Sequence, residues 1–332
     1  MEPDLLQSML GSATAGIISR IFTHPLDTAK ARLQAQQIKS IKTQSVQTYH
    51  GPIDVLRKTA RAEGMRGLYR GFGAIFVGGT PGTVIYLSGY EQAKKRLSSR
   101  NENQPQSRGM DFLVHFASGM LAETLACVIY VPVDVVKERL QVQRQDAKVK
   151  YYGSYDAMKT ILRDEGLSGI YKGYAATLVS FGPFSAIYFG LYEIFKDGAR
   201  IYTGNEVQTS RQSFDQAALT RKELEDLPFP WLMTCSASAG AIASWLTSPL
   251  DMAKLRLQLE RGQSAATKTN SVGEAGLAYG GMANCLRQAY RDGGMRALFR
   301  GAGARVMHFT PATCITMTFY EKCTSFYARL LS

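Results

Sequence analysis

The sequence lacks the long apolar run that marks a simple lipid-facing helix. No window of its 332 residues offers about 20 uninterrupted apolar residues, and the best stretches each carry a charge, such as Arg20 or Glu123. Charges within membrane helices are costly and usually face a cavity. The pattern therefore favours helices with one face on lipid and the other on a watery cavity.

Targeting and cysteine signals are also sparse. The first ten residues contain Glu2 and Asp4 but no arginine, unlike a secretory signal or an Arg-rich transit peptide, so any organelle address is expected to be internal. The five cysteines are odd in number and show no CxxC spacing, which argues against a disulfide framework or a zinc site. The formal net charge of +12 favours anionic partners such as nucleic acid, acidic lipid or an anionic substrate.

The chain also lacks a paired catalytic constellation. The glycine-rich run from Gly78 to Thr83 has no GK[ST] ending, so it does not predict a nucleotide-hydrolysing phosphate loop. We therefore do not expect an enzyme.

What the sequence has instead is three ordered blocks that recur three times. The first reads P-x-D-x-x-K-x-R-L-Q, the second ends in an aromatic-basic-glycine triplet, and the third begins with Tyr-Glu. They start at Pro25, Glu63 and Tyr90, then at Pro132, Glu165 and Tyr192, then at Pro249, Gly293 and Tyr320. We predict repeats over residues 1–100, 101–205 and 206–332 that form one structural unit.

Each repeat predicts a helix, a polar loop with a short amphipathic helix, and a second helix. The block proline should kink each first helix, because its ring removes a hydrogen bond and crowds the preceding turn. The predicted fold is an all-α membrane protein with six transmembrane helices. They are expected at 8–36, 111–143 and 231–259 for the first helices and at 72–97, 174–200 and 302–330 for the second helices.

These blocks resemble those of the mitochondrial carrier family, and the resemblance covers almost the whole chain. It implies a pseudo-threefold, multi-pass solute carrier of the mitochondrial inner membrane that moves a small metabolite or cofactor by alternating access between two salt-bridge gates. It also implies a monomer with a small-molecule substrate and cardiolipin as partners, and no cofactor, metal or nucleic acid. A soluble helical-repeat interaction protein is the alternative of another class, and small-residue packing argues against it.

Two sets of charged residues fit the gates. The acid and base of each first block lie three residues apart and share a helix face, so three converging helices could form a ring of ion pairs braced by the block glutamines. These matrix-gate residues are Asp27, Lys30, Gln34, Asp134, Lys137, Gln141, Asp251, Lys254 and Gln258. The cytoplasmic gate is expected from Glu91, Lys94, Glu193, Lys196 and Glu321, with Thr324 in the place of a third lysine.

Glycines of the second block lie where helix starts attract phosphate. The resemblance implies cardiolipin at Gly64, Gly71, Gly166 and Gly173, although each glycine could equally serve a tight turn. Repeat three departs from the pattern, because Gly293 takes the place of the acid.

Positions that break the threefold pattern predict substrate contacts, because a small solute is rarely threefold symmetric. Arg20 and Glu123 are charged where the other repeats are not, while Arg305 and His308 share one helix face. Two arginines in one cavity predict an anionic group on the substrate, and Glu123 predicts a cationic or donor group. With the positions that match family contact points, the predicted substrate-binding residues are Arg20, Gly78, Gly79, Glu123, Ser180, Phe181, Arg305 and His308.

Subfamily resemblances point in different directions. Repeat two around Glu123 is similar to S-adenosylmethionine carriers, whereas Arg20 resembles nucleotide and cofactor carriers. The region of Gly78 and Pro81 resembles mitoferrin-like iron carriers, so a metal-ion carrier is the alternative, but the histidines of those carriers are missing here.

Overall fold

The computed structural model describes residues 3–39, 49–99, 108–143, 150–203, 227–259, 281–299 and 301–331. Those ranges contain ten helices and no strand. In chain order they are α1 Pro3–Lys39, α2 Pro52–Leu68, α3 Phe72–Ser99, α4 Arg108–Val142, α5 Ser154–Ile170, α6 Tyr174–Thr203, α7 Phe229–Leu246, α8 Ser248–Leu259, α9 Met282–Leu298 and α10 Ala302–Leu331.

The long helices form a closed bundle. Each repeat supplies a first helix (α1, α4, and α7 with α8) and a second helix (α3, α6 and α10), and α1 packs against α10, α3 against α4 and α6 against α7. The short helices α2, α5 and α9 pack against α1, α4 and α8 respectively. Because α2 buries Val55 and Leu68 while Arg57, Arg61 and Arg66 are exposed, it is amphipathic. The predicted all-α fold of three helix pairs with short amphipathic helices is confirmed.

The outer surface of the helix bundle suits a membrane. Two described segments, Leu113–Val142 and Tyr174–Thr203, are long and apolar enough to cross a bilayer by length and composition. Exposing the wide apolar surface of this bundle to water would be unfavourable, whereas exposing it to lipid would not. The large apolar side chains exposed on the long helices include Phe22, Phe76, Val77, Leu121, Leu125, Val128, Val179 and Trp245.

In the first two repeats the first helix continues through its block proline. A proline leaves the carbonyl four residues earlier without its helical donor. The hydroxyl of Tyr69 donates to the Ile21 carbonyl, and the hydroxyl of Tyr171 donates to the Val128 carbonyl. Each donor–acceptor distance is 3.0 Å. The tyrosine of the second block therefore replaces the hydrogen bond that the proline of the first block removes.

The third repeat departs from the predicted continuous helix over 231–259, because the structure breaks it at Thr247 into α7 and α8. Phe299 stands where the other repeats have tyrosine, so it has no hydroxyl to donate, and its ring lies 5.0 Å from that of Trp245. Pro249 falls in the first turn of α8, where a missing N–H costs no helical bond.

Candidate functional site

Three ion pairs close the bundle where α1, α4 and α8 converge. Each pair joins two repeats, so the three pairs form a ring, the ion-pair ring, that links all three repeats. Side chains of the ring are at most 30% exposed, and such shielding from water strengthens a pair relative to one on an open surface. From Nζ to a carboxylate oxygen, the pairs are Lys137–Asp27 at 2.5 Å, Lys30–Asp251 at 2.7 Å and Lys254–Asp134 at 2.9 Å.

The block glutamines lie one turn beyond the ring and are not equivalent. The Gln141 amide nitrogen lies 3.4 Å from an Asp27 carboxylate oxygen and 3.1 Å from the Thr28 hydroxyl. Gln34 and Gln258 are fully buried, and the Gln34 amide has no hydrogen-bond partner among the described residues. The structure therefore shows one of the three predicted braces in contact with an aspartate of the ring.

A cavity of about 530 Å³ lies on one side of the ring. Asp27, Asp134 and Lys137 form its floor, and its lining extends along α1, α3, α4, α6 and α10 as far as Tyr320. A volume of roughly 300–1,000 Å³ is usual for small-molecule sites. The cavity is thus large enough for a metabolite, and the ion pairs close it at one end.

Five of the eight predicted substrate-binding residues line this cavity: Arg20, Gly79, Glu123, Phe181 and His308. A side-chain carbon at Gly79 would meet the Arg20 guanidinium where it now lies, so a larger residue there would require the arginine to shift. The His308 Nε2 atom lies 3.9 Å from an Asp27 carboxylate oxygen, directly above the ring. The structure therefore brings the predicted cation, carboxylate and imidazole into one space.

Gly78 and Ser180 lie outside the cavity lining. Gly78 packs against Val133 of α4 so closely that a side-chain carbon would collide with it. Ser180 is buried within the bundle at 7% exposure. Both positions therefore have a packing role in this conformation.

Arg305 also lies outside the lining, which corrects the expectation that both arginines face one cavity. Its guanidinium lies 3.6 Å from an Asp251 carboxylate oxygen and donates to the Thr247 hydroxyl at 3.0 Å and the Ser244 carbonyl at 3.3 Å. These partners lie beside the break between α7 and α8, which brings the Ser244 carbonyl and the Thr247 hydroxyl within reach of the guanidinium. Arg20 is the arginine that lines the cavity.

Comparison with known protein families identifies the kind of protein that carries this ring and cavity. Residues 2–101, 108–202 and 225–330 each match the family model described as Mitochondrial carrier protein. The chain belongs to the mitochondrial carrier family. It is accordingly a transporter by family and a multi-pass protein of the mitochondrial inner membrane, so the soluble-module alternative is set aside.

Related carriers match this carrier over nearly its whole length. Mitochondrial substrate carrier family protein E of Dictyostelium discoideum is 31% identical, covering 97% of this chain and 95% of the relative. The Mitochondrial S-adenosylmethionine carrier protein of Xenopus tropicalis is 29% identical over 95% and 94% of the two chains, and Mitoferrin of Dictyostelium discoideum is 28% identical over 94% and 91%. Because differently named relatives are almost equally similar, identity alone does not choose a substrate.

Sequence reasoning missed several residues of the carrier's cavity. His24 lines it, with the ring nitrogen Nε2 lying 3.0 Å from the Arg70 carbonyl oxygen, and Tyr130 lines it with its hydroxyl 3.1 Å from that of Thr83. The signal was available, because neither His24 nor Tyr130 recurs at the equivalent position of the other repeats. The symmetry rule that selected Glu123 would have found both.

The predicted cytoplasmic-gate residues lie on the second helices, far from the ring. The Lys94 ammonium is 6.0 Å from the centre of the Tyr90 ring, and the Lys196 ammonium is 5.3 Å from that of Tyr192. The side chains of Glu321 and Thr324 lie outside the described residues. In this conformation the two lysines therefore lie over tyrosines of their own helices.

The four glycines of the predicted lipid positions share an unusual backbone conformation. A positive φ is readily adopted by glycine alone, and a side chain at Gly71 would also lie 3.0 Å from the Lys137 carbonyl. Each glycine thus has a backbone reason to be there, and cardiolipin binding stays a prediction. The φ values are 67° at Gly64, 82° at Gly71, 69° at Gly166 and 81° at Gly173, and the third repeat matches them with 62° at Gly294 and 91° at Gly301.

Proposed function

We propose that this carrier moves a small metabolite or cofactor that bears both an anionic group and a cationic or donor group. The observation that carries the proposal is the presence of Arg20 on α1 and Glu123 on α4 in the lining of one cavity. Charged side chains at membrane depth are costly, and a solute of opposite charge offsets that cost. A solute with both charge types would satisfy the arginine and the glutamate together.

Glu123 has a weak partner among the residues around the cavity. Its carboxylate accepts a hydrogen bond from the Cys127 thiol over 3.5 Å, and it is 9% exposed. A thiol is a weak donor. A substrate ammonium or a comparable cation would stabilise the carboxylate more strongly, because charge-assisted hydrogen bonds are about twice as strong as neutral ones.

Aromatic rings supply the remaining recognition surface. Tyr86 meets Phe181 at a ring-centre distance of 6.5 Å, and Tyr188 meets Phe309 at 6.1 Å, with all four residues in the lining. Such rings bind flat or apolar parts of a ligand. S-adenosylmethionine combines a carboxylate, cationic groups and a flat adenine ring, so it is the candidate that this cavity favours.

Transport would proceed by alternating access. We assign the ion-pair ring as the matrix gate, closed here, and the Glu91, Glu193 and Glu321 region as the cytoplasmic gate. The block glycines remain our proposed cardiolipin positions, and a monomer is the proposed unit. Because the ring pairs are partly shielded but not dry, the gate can hold and still open without a prohibitive barrier.

The proposal is tested by uptake into proteoliposomes containing the purified carrier. Radiolabelled S-adenosylmethionine, ATP, aspartate and ferrous iron form the panel, compared between parent, Arg20→Gln and Glu123→Gln. Each variant should reduce uptake of the preferred solute at least about tenfold, the equivalent of 1.4 kcal/mol. Arg163→Gln, which removes an exposed charge from α5, is the matched control and should transport normally.

Two results would contradict the proposal. Unchanged uptake in both cavity variants would show that neither charge contacts the solute. Uptake of ferrous iron alone would instead support the metal-ion alternative.

A further inference from the structure

A second cavity, of about 100 Å³, lies behind the ion-pair ring. The three ring lysines with Asp134 and Asp251 form one wall, and Gln34, Glu138 and Gln258 with the apolar Ala31 and Leu255 line the rest. These five residues follow the block lysines along the first helices, so the cavity is on the side of α2 and α5 and away from the large cavity. It has room for a few water molecules but not for a metabolite.

Glu138 breaks the threefold pattern in this place. The equivalent residues are Ala31 in repeat one and Leu255 in repeat three. One Glu138 carboxylate oxygen lies 3.3 Å from the Lys137 ammonium, which is closer, at 2.5 Å, to the Asp27 carboxylate. Glu138 therefore shares a lysine that already has a nearer partner.

Glu138 is the fourth acid beside the ion-pair ring. The ring contributes three lysines and three aspartates, and Arg305 from α10 adds a fourth base, 3.6 Å from Asp251. The ring groups that face Glu138 are Asp27 and Lys30 from α1, Asp134 and Lys137 from α4, and Asp251 and Lys254 from α8. Of these bases, Lys137 is the one in an ion pair with Glu138, and Glu138 shares it with the nearer Asp27.

Unsatisfied polar atoms surround the small cavity. The second carboxylate oxygen of Glu138 is buried and has no hydrogen-bond partner among the described residues. The same holds for both polar atoms of the Gln34 amide, which is 0% exposed, and for the Gln258 amide nitrogen. Buried polar atoms require partners, and a buried carboxylate whose one lysine is shared with a nearer aspartate is neutralised most simply by a proton.

We propose that Glu138 binds a proton when the ring is closed and releases it to the matrix when the ring opens. The inference rests on the proposed gate function of the ring. When the ring opens, matrix water hydrates the carboxylate, which then ionises. On closing, one proton from matrix water adds to a Glu138 oxygen, and no other bond changes. The matrix gate thus senses acidity, with low matrix pH favouring the closed state and high pH favouring the open state.

The test measures gate opening without a substrate. Spin labels are attached at Ile53→Cys on α2 and Tyr155→Cys on α5, both highly exposed positions, in an otherwise cysteine-free carrier reconstituted in nanodiscs. Pulsed EPR distances are recorded between pH 6.0 and 8.5. The parent should shift toward the shorter, closed distance as pH falls, with the closed-to-open ratio changing up to about tenfold per pH unit, the limit for one proton.

Variants separate the proton site from the gate itself. Glu138→Gln and Glu138→Ala should abolish the pH response, whereas Asp164→Asn, a surface acid on α5, should retain it. Lys254→Gln should lengthen the distance at every pH by breaking a ring pair. If Lys254→Gln opens the gate but the Glu138 variants keep the parent's pH response, or if the parent shows no response, the proton site is refuted while the gate stands. If Lys254→Gln leaves the distance unchanged, the proposed gate itself fails and the inference with it.

Discussion

Repeats two and three contain the same first block, yet they handle its proline differently. In repeat two the Tyr171 hydroxyl donates to the Val128 carbonyl, and α4 runs on unbroken. In repeat three Phe299 cannot donate, and the helix breaks at Thr247. A proline-containing first helix is therefore continuous where a tyrosine hydroxyl from another segment replaces the hydrogen bond that the proline removes.

The two repeats also differ in how the short helix is tied to the first helix. In repeat two the Arg139 guanidinium makes two hydrogen bonds with the Glu165 carboxylate, and both side chains are buried. In repeat three Gly293 takes the place of that glutamate. Ring pairs nevertheless form in every repeat. The second block can therefore vary, because the ring depends on side chains of the first helices alone.

The largest expected effect comes from removing from repeat two the carboxylate that repeat three lacks. Glu165→Gln leaves the buried Arg139 charge without its carboxylate, and removing one partner of a buried pair costs about 3–5 kcal/mol. Thermal unfolding, followed by a thiol-reactive dye as the buried Cys127 and Cys285 become accessible, should show a large loss of stability. Asp54→Asn is the control, because its i,i+4 pair with Lys58 is partly exposed and its loss should change unfolding little. Equal unfolding of the two variants would contradict the prediction.

The next effect tests the role of Arg305 at the break in repeat three. Arg305→Gln removes the ion pair to Asp251 and the bonds to Thr247 and Ser244, so we expect a loss of about 1–3 kcal/mol. Arg305→Lys should be only partly rescuing, because lysine lacks the planar fork. If unfolding is unchanged while uptake falls tenfold, Arg305 is a substrate contact and its structural role here is minor.

A smaller effect is expected when repeat two loses its hydroxyl. Tyr171→Phe should destabilise the carrier by about 1 kcal/mol, the net worth of a hydrogen bond, and should speed amide hydrogen exchange around Val128. Tyr155→Phe, at a position 82% exposed, should leave exchange unaltered. If amide hydrogen exchange around Val128 is equally slow in Tyr171→Phe and Tyr155→Phe, the Val128 carbonyl does not need the tyrosine as a donor.

The smallest effect is expected from the reverse change in repeat three. Phe299→Tyr places a hydroxyl near the helix break and should stabilise the carrier by at most about 1 kcal/mol. Thermal unfolding and amide exchange around Thr247 would report it. If both stay at the parent's values, then Pro249 in the first turn of α8, and not the missing hydroxyl, decides the break.

The predictions from sequence succeeded where local spacing decides the outcome. Asp27 and Lys30 lie on one helix face because they are three residues apart, and this held in all three blocks. The position of Arg305 was not predictable in the same way, because its partners Asp251, Thr247 and Ser244 are placed by the break between α7 and α8. His24 and Tyr130 were overlooked, although their lack of threefold recurrence was visible in the sequence.

By itself, the sequence determined the family, the three repeats and the composition of the ring, because repeated motifs and helical periodicity are local properties. Only the tertiary structure decided that Lys137 meets Asp27, that Arg305 pairs with Asp251 outside the cavity lining, and that Glu138 lies as a fourth acid behind the ring. Those outcomes depend on where helices distant in the sequence converge, and on which polar groups each helix leaves unsatisfied when they do.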